Sequence, residues 1–99
     1  DATKNAIEVP LKVMKLSLGS MEVVKAMAAT GNPNSVSDAG VGALATRSAV
    51  MGAFLNVKIN ASGLEDKEYI EKILIEGESI QNKAINLEEE ILAIVNSKI

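Results

Sequence analysis

Residues 31–60 read GNPNSVSDAGVGALATRSAVMGAFLNVKIN. The stretch opens on a polar turn, Gly31-Asn32-Pro33-Asn34-Ser35, and then continues with no proline or Asn-Gly signal to stop it before Ser62-Gly63. The long part is rich in Gly and Ala and apolar on almost every side. A surface helix carries one apolar stripe and one polar face, whereas a helix apolar all round is buried among several neighbours. The pattern predicts a central helix from about Val36 to Ala61, about 40 Å long at 1.5 Å per residue.

The polar residues of this helix are few. At alternating steps of four and three, one stripe reads Asp38, Gly42, Ala45, Ala49, Gly52, Asn56, with Asn60 one turn beyond. Residues so spaced share a face. Its middle is bare of side chain, and its ends carry a carboxylate and two amides. Two readings stay open: close packing against another backbone, with the amides satisfying local groups, or the wall of a binding cleft whose amides orient a ligand.

Outward from this helix, the N-terminal segment repeats Ile7, Leu11, Met14, Leu18, Met21, Val24 (or Lys25) and Ala28 at helical spacing, with Lys4, Glu8, Lys12, Lys15, Glu22 and Lys25 toward water. Pro10 removes one helical hydrogen bond and predicts a kink near residues 6–9 or a new helix starting at Pro10. Gly31 stands where a helix-ending glycine belongs, with Pro33 after it. Ser35 or Ser37 can cap the central helix, and Asp38 near its first turn meets the favourable end of the helix dipole. Arg47 is the one charge in the middle of that helix, and it must reach an edge or pair with a carboxylate of this or another subunit.

C-terminal to Ser62-Gly63, Asp66 is a fair N-cap for a third helix, with Glu68 in its first turn. Ile70, Ile73, Gly77, Ile80, Ala84, Leu87, Ile91 and Ile94 then form a heptad-like seam. The run Glu88-Glu89-Glu90 reads as part of a solvated face rather than as an acid/base pair. Val57-Lys58-Ile59 alternates, but inside a helical run, so no strand is expected. The fold class is all-α: long antiparallel helices in an up-and-down bundle, one helical unit over 1–99, with a buried central helix and a heptad-like C-terminal helix. Leaving one side of the central helix wet would cost several kcal/mol at about 25 cal/mol per Å². Its further neighbours are expected from the rest of a domain, from a second subunit, or from both.

The chain has 99 residues, a formal net charge of −3, no Cys and no His. That removes thiolate nucleophiles, imidazole bases and Cys/His metal sites. Only Phe54 and Tyr69 are aromatic, and neither a basic footprint nor a stacking platform for nucleic acid is present. Arg47, Thr46, Ser48 and Asn56 argue against reading 39–61 as a membrane span. With no signal-peptide pattern at Asp1, the expectation is a cytoplasmic protein.

Three elements carry a resemblance. Gly31-Asn32-Pro33-Asn34-Ser35-Val36-Ser37-Asp38 is similar to a G-N-x-N-x-x-S-D motif, residues 52–60 (GAFLNVKIN) to G-A-x-x-N-V-x-I-N, and Val9-Pro10-Leu11 to an upstream V-P-L element. In this order and spacing they resemble the cyclodeaminase domain of the formiminotransferase-cyclodeaminase family, which includes single-domain cyclodeaminases and methenyltetrahydrofolate cyclohydrolases. The family domain is about twice this long, and the chain resembles its C-terminal half. The resemblance implies a folate one-carbon enzyme that converts 5-formiminotetrahydrofolate to 5,10-methenyltetrahydrofolate and ammonia, or a cyclohydrolase acting on the same methenyl carbon. It implies no metal and no redox cofactor. It carries Asn32, Asn34, Ser37, Asp38, Asn56 and Asn60 over as substrate-binding positions, with Asp38, Asn56 and Asn60 foremost. The family's acidic catalytic motif lies upstream of V-P-L. Asp1-Ala2 does not match it, so the proton-transfer group is expected before Asp1. The residues alone also fit a non-catalytic module that dimerises through the C-terminal helix. On either reading a homodimer or higher homo-oligomer is expected.

Overall fold

The computed structural model describes residues 2–99; Asp1 lies outside the described residues. The chain forms three helices, α1 (Ala2–Thr30), α2 (Val36–Ala61) and α3 (Lys67–Lys98). They pack into a rod of 51 × 18 × 16 Å. The chain turns up, down and up. Asn60 at the end of α2 reaches Ala6 near the start of α1, and Lys4 pairs with Asp66 beside the start of α3. At the far end Lys98 meets Ala28. Consecutive helices are therefore antiparallel, and α1 and α3 run side by side in the same direction.

Residues spaced by seven build the α1/α2 contact. Ile7, Met14, Met21 and Ala28 are fully buried, as are Ala43, Val50 and Val57, with Val36 at 1% exposure. A seven-residue repeat keeps one seam of each helix facing its partner. α3 obeys a different period. Its buried residues are Ile73, Gly77, Ile80, Ala84, Glu88, Ile91 and Val95, and Ile73, Ala84 and Val95 follow one another at eleven-residue spacing. An eleven-residue repeat averages about 3.67 residues per turn, close to the period of a straight helix. The expected heptad seam thus holds at Ile73, Gly77, Ile80, Ala84 and Ile91, but after Ala84 its other two positions shift by one, to Glu88 and Val95. Leu87 and Ile94 move to the edge of the core, and Glu88 turns inward.

That slip corrects the solvated reading of Glu88. Its side chain is buried and accepts from Arg47 Nη1 at 2.6 Å, which answers where the lone arginine of α2 goes. Of its neighbours in the run, Glu90 pairs with Lys25 of α1 at 2.6 Å. The seam also lies inside the monomer, packed on α1 and α2, and so is not free to serve as the dimer contact that the non-catalytic reading needs.

Three local expectations change as well. α1 does not restart at Pro10 but runs through it as one helix. Gly31 does not end α1 by a left-handed backbone, since no described glycine has positive φ. It is needed for room: a Cβ there would sit 2.8 Å from Met27 O and 3.1 Å from Val36 Cγ1. Ser35 is the N-cap of α2 but makes no side-chain cap bond. Its hydroxyl instead donates back to Asn32 O at 3.3 Å. Asp66 caps α3 as expected, accepting from Tyr69 N at 3.2 Å. That bond and the Lys4 ammonium hold its carboxyl below the ordinary value of 3.8.

The uncovered side of α2 is visible. Val41, Leu44, Leu55 and Ile59 of α2 and Val9, Val13, Leu16, Val23 and Met27 of α1 are all exposed. Val9 and Val13 of α1 border the open side of α2, lining one groove with Ala49, Gly52 and Asn56, and Leu55 and Ile59 flank Asn56 on its other side. Contiguous exposed apolar surface of this kind marks an interface. No described helix is long and apolar enough to cross a membrane.

Candidate functional site

The α1/α2 face holds a groove of about 520 Å³, lined by Ala6, Val9, Pro10, Val13, Ala49, Gly52, Ala53, Asn56 and Asn60. Its floor is the small-residue stripe. Nothing lies within 4 Å of the position a Cβ would take on Gly52. From Ala49 to Asn60 the stripe is therefore an open, flat, apolar strip with amides at one end, whereas Gly42 packs toward α1, a Cβ there lying 4.0 Å from Val24. The fold brings two of the sequence elements together here: Val9 and Pro10 from one, Gly52, Asn56 and Asn60 from the other.

A hydrogen bond joins those two elements. Pro10 has no N–H, so the Ala6 carbonyl, four residues back, loses its helical donor. Asn60 Nδ2 donates to Ala6 O at 3.2 Å. The proline is tolerated inside α1 because a side chain of α2 supplies the missing donor. Asn60 is thereby fixed as a strut between the helices, and its Oδ1 is left as an acceptor. Asn56, one turn earlier, is exposed and makes no side-chain hydrogen bond among the described residues. We expect Asn60→Ala to cost about 1 kcal/mol. In a Pro10→Ala background the loss should shrink, because an alanine N–H at that position restores the helical donor to Ala6. Denaturant titration of the four-member cycle measures this, and equal losses in both backgrounds would show that the bond is idle.

The other expected site residues lie elsewhere. Asn32, Asn34, Ser37 and Asp38 sit at the α1/α2 turn, and the rise from Asp38 to Asn56 along α2 is about 27 Å. Within one chain Asp38 does not share a site with Asn56 and Asn60. The turn is built around Asn32. Its side-chain Oδ1 accepts from Asn34 N at 2.9 Å, an Asx turn. Its main-chain oxygen accepts from Ser35 N and Val36 N, each at 3.0 Å. Asn32 has spent its acceptors on the turn and keeps only its amide N–H groups for a ligand. The side chains of Asn34, Ser37 and Asp38 are exposed and make no hydrogen bond among the described residues.

Several polar contacts had no readable signal in the sequence. Lys98 Nζ donates to Ala28 O, Ala29 O and Gly31 O at 2.8, 2.6 and 3.0 Å. Tyr69 OH donates to Glu8 Oε1 at 3.1 Å, on the α1/α3 side of the rod. Desolvation, with Glu8 beside it, pushes the phenol above its ordinary 10.0, so Tyr69 serves as a donor rather than a base. These pairs are separated by 61 residues or more in sequence, beyond the reach of any local pattern. No group of three acidic residues among those described is arranged to hold a metal ion.

Comparison with known proteins matches the same elements. The family model described as formiminotransferase-cyclodeaminase covers residues 1–79. The chain is 36% identical over 99 residues to the methenyltetrahydrofolate cyclohydrolase of Methylorubrum extorquens, an alignment that spans all of this chain and 48% of that protein. It is 32% identical over 97 residues to the formimidoyltransferase-cyclodeaminase of Dictyostelium discoideum, spanning 98% of this chain and 18% of that protein. The chain thus spans less than half the length of these relatives. With V-P-L, the polar turn and the GAFLNVKIN stretch (residues 52–60) all inside the matched residues, the chain belongs to the formiminotransferase-cyclodeaminase family.

Proposed function

We propose that this chain is the C-terminal half of a folate one-carbon enzyme, and that its α1/α2 groove forms one wall of the folate cleft. The observation that carries the reading is the open strip of Ala49 and Gly52 with Asn56 and Asn60 at its end. A flat apolar floor accepts a planar heterocycle, and primary amides pair with a ring edge that carries both donors and acceptors. The exposed apolar residues around the strip fit a helical structure assembled from about twice as much polypeptide, the remainder covering α2.

The reaction is conversion of 5-formiminotetrahydrofolate to 5,10-methenyltetrahydrofolate. N10 attacks the formimino carbon, a tetrahedral centre forms, and ammonia departs. The groove's part is to hold N5 and N10 in register, which is where positioning lowers a barrier most. The steps also need one group to take the N10 proton and one to protonate the departing amine. The groove residues named here contain no carboxylate, and Asp38 is about 27 Å away along α2. The proton-transfer groups therefore come from outside this chain, in the family's upstream acidic motif. No resident cofactor is part of the reading. A second reading, methenyltetrahydrofolate cyclohydrolase, is favoured by the relative from Methylorubrum extorquens, aligned over this whole chain. There water attacks the same methenyl carbon.

The test is an absorbance assay of methenyltetrahydrofolate in the full-length protein. Formation from the formimino substrate with ammonia release supports the cyclodeaminase. Consumption of methenyltetrahydrofolate without ammonia supports the cyclohydrolase. Neither reaction would sink the folate reading. Residues 1–99 alone should turn over nothing. Gly52→Leu adds a further check. In the isolated chain the side chain enters open space, and stability should hold or rise slightly with helix propensity. In the full-length protein it should cost about 1–3 kcal/mol of stability or folate affinity. Unchanged melting temperature and affinity there would show the strip to be merely solvent-exposed.

A further inference from the structure

A primary amide has two ends of opposite hydrogen-bonding character, an oxygen that accepts and an NH2 group that donates. A lone asparagine side chain turns over to present whichever end a ligand needs. Asn60 has no such freedom. A carbonyl oxygen only accepts, so the end of the Asn60 amide that faces Ala6 O is its nitrogen, 3.2 Å away. The Ala6 carbonyl is open to this bond because the residue four positions on is Pro10, which has no N–H. Turning the amide over would set Oδ1 against Ala6 O and leave that carbonyl without a donor, two losses that oppose the flip together.

With Nδ2 committed to the α1 backbone, Oδ1 is the atom that Asn60 leaves to the groove, and it has no hydrogen-bond partner among the described residues. Asn56 stands one turn earlier on the same face, about 6 Å along the helix. Its side chain is exposed and makes no hydrogen bond among the described residues, so its amide turns freely. Both amides line the groove together with Ala6 and Pro10. The end of the groove thus offers one acceptor of fixed direction beside one adaptable amide. A fixed acceptor pairs with a ligand N–H and opposes a ligand oxygen.

We infer that Pro10 is a positioning residue for ligand recognition: by withholding an N–H from Ala6 it commits the Asn60 donor to that carbonyl, and so fixes Asn60 Oδ1 as an acceptor that selects ligands by an N–H donor. The inference rests on the folate reading above. In folate the donor is the 2-amino group, which projects from the edge of the pteridine ring. Asn60 touches the ring, and Pro10 acts through Asn60.

The test uses the full-length protein as wild type, Pro10→Ala and Pro10→Ala/Asn60→Asp. Equilibrium binding without oxygen compares tetrahydrofolate with its 2-desamino-2-methyl analogue, which keeps the shape of the ring edge and removes the donor. Wild type should bind the analogue about tenfold more weakly, the scale of one lost hydrogen bond. An alanine N–H at position 10 returns the helical donor to Ala6 and frees Asn60, so in Pro10→Ala the preference should fall to about threefold or less. Pro10→Ala/Asn60→Asp should restore it, because a carboxylate accepts at either oxygen whichever way it turns. A proline acting only as a groove wall or a helix kink would gain nothing from Asn60→Asp. In the same proteins without ligand, the Asn60 side-chain amide protons should exchange with solvent about tenfold faster in Pro10→Ala than in wild type, with those of Asn56 unchanged. Equal exchange at Asn60 in the two proteins overturns the inference whatever the ligand proves to be. No preference in wild type, a preference that survives Pro10→Ala, or one that Asn60→Asp does not restore overturns the link to recognition. If the wild-type protein does not bind tetrahydrofolate at all, the folate reading fails and the recognition claim with it, while the exchange comparison still decides whether Pro10 holds the Asn60 amide.

Discussion

Arg47→Met should destabilise the protein by about 3–5 kcal/mol, the cost of leaving a buried charge without its partner. Glu88 is 4% exposed and lies between Ala84 and Ile91, both fully buried, on the inner stripe of α3. Its carboxylate takes a 2.6 Å bond from Arg47 Nη1, while the guanidinium side chain keeps 35% of its surface and so remains partly solvated. Methionine keeps the length of the arginine stem but gives Glu88 nothing to bond. Small domains have only about 5–15 kcal/mol in total, so the variant should lie near its unfolding midpoint in mild denaturant. Arg47→Met/Glu88→Leu should recover most of the loss, since replacing both charges with apolar groups is often close to neutral. Urea titration of the two single variants and the double variant reads the coupling. A loss under about 1 kcal/mol for Arg47→Met would mean that the pair behaves as a surface ion pair and that Glu88 is solvated.

Gly77→Ala should also destabilise, against the trend for alanine in a helix. Alanine is favoured over glycine in a helix interior by about 1 kcal/mol. Here the added methyl would meet the Phe54 ring, 2.8 Å from Cδ1 and 3.0 Å from Cζ. Phe54 is 3% exposed and sits beneath the Lys58 ammonium, which lies 4.4 Å from the ring centre. The ring cannot yield without displacing its neighbours or leaving the core. Overpacking of this kind costs about 1–3 kcal/mol, so the clash outweighs the propensity gain. Shortening the opposing side chain should reverse the sign: Gly77→Ala should be milder in a Phe54→Leu background. Thermal unfolding of the four proteins measures it. A stabilised Gly77→Ala in the wild-type background would show that α3 does not approach α2 at this point.

The central helix illustrates how far a sequence reaches and where it stops. Its bounds, Val36–Ala61, follow from local signals: a polar turn with Pro33 before it, Ser62-Gly63 after it, and no breaker between. The buried faces of α1 follow from its seven-residue spacing, and the all-α fold from the absence of any alternating segment outside a helix. These are short-range properties, written in neighbours three to seven residues apart. α2 itself has little contrast between its sides, so nothing local marks which apolar side meets α1 and α3 and which is left open. Only the packing shows that Gly52 faces empty space while Ala53 faces the core.

The same limit separates the candidate site residues. The stripe correctly set Asn56 and Asn60 on one face of α2, but a stripe gives no account of distance to other elements, and Asp38 proved to be at the opposite end of the rod. That Asn60 answers Pro10 could not be read from either motif, because the carbonyl it caps is freed by a missing N–H in another helix. Glu88 shows the remaining case. Heptad and eleven-residue spacings coincide over the first turns of α3 and differ by one position only after Ala84. Choosing between them depends on whether the helix coils around its neighbours or runs straight past them. The residues of α3 alone determined that it is a helix with a long apolar seam. The two helices it packs against determined the period of that seam, and so which glutamate of three was buried against an arginine 41 residues earlier in the chain.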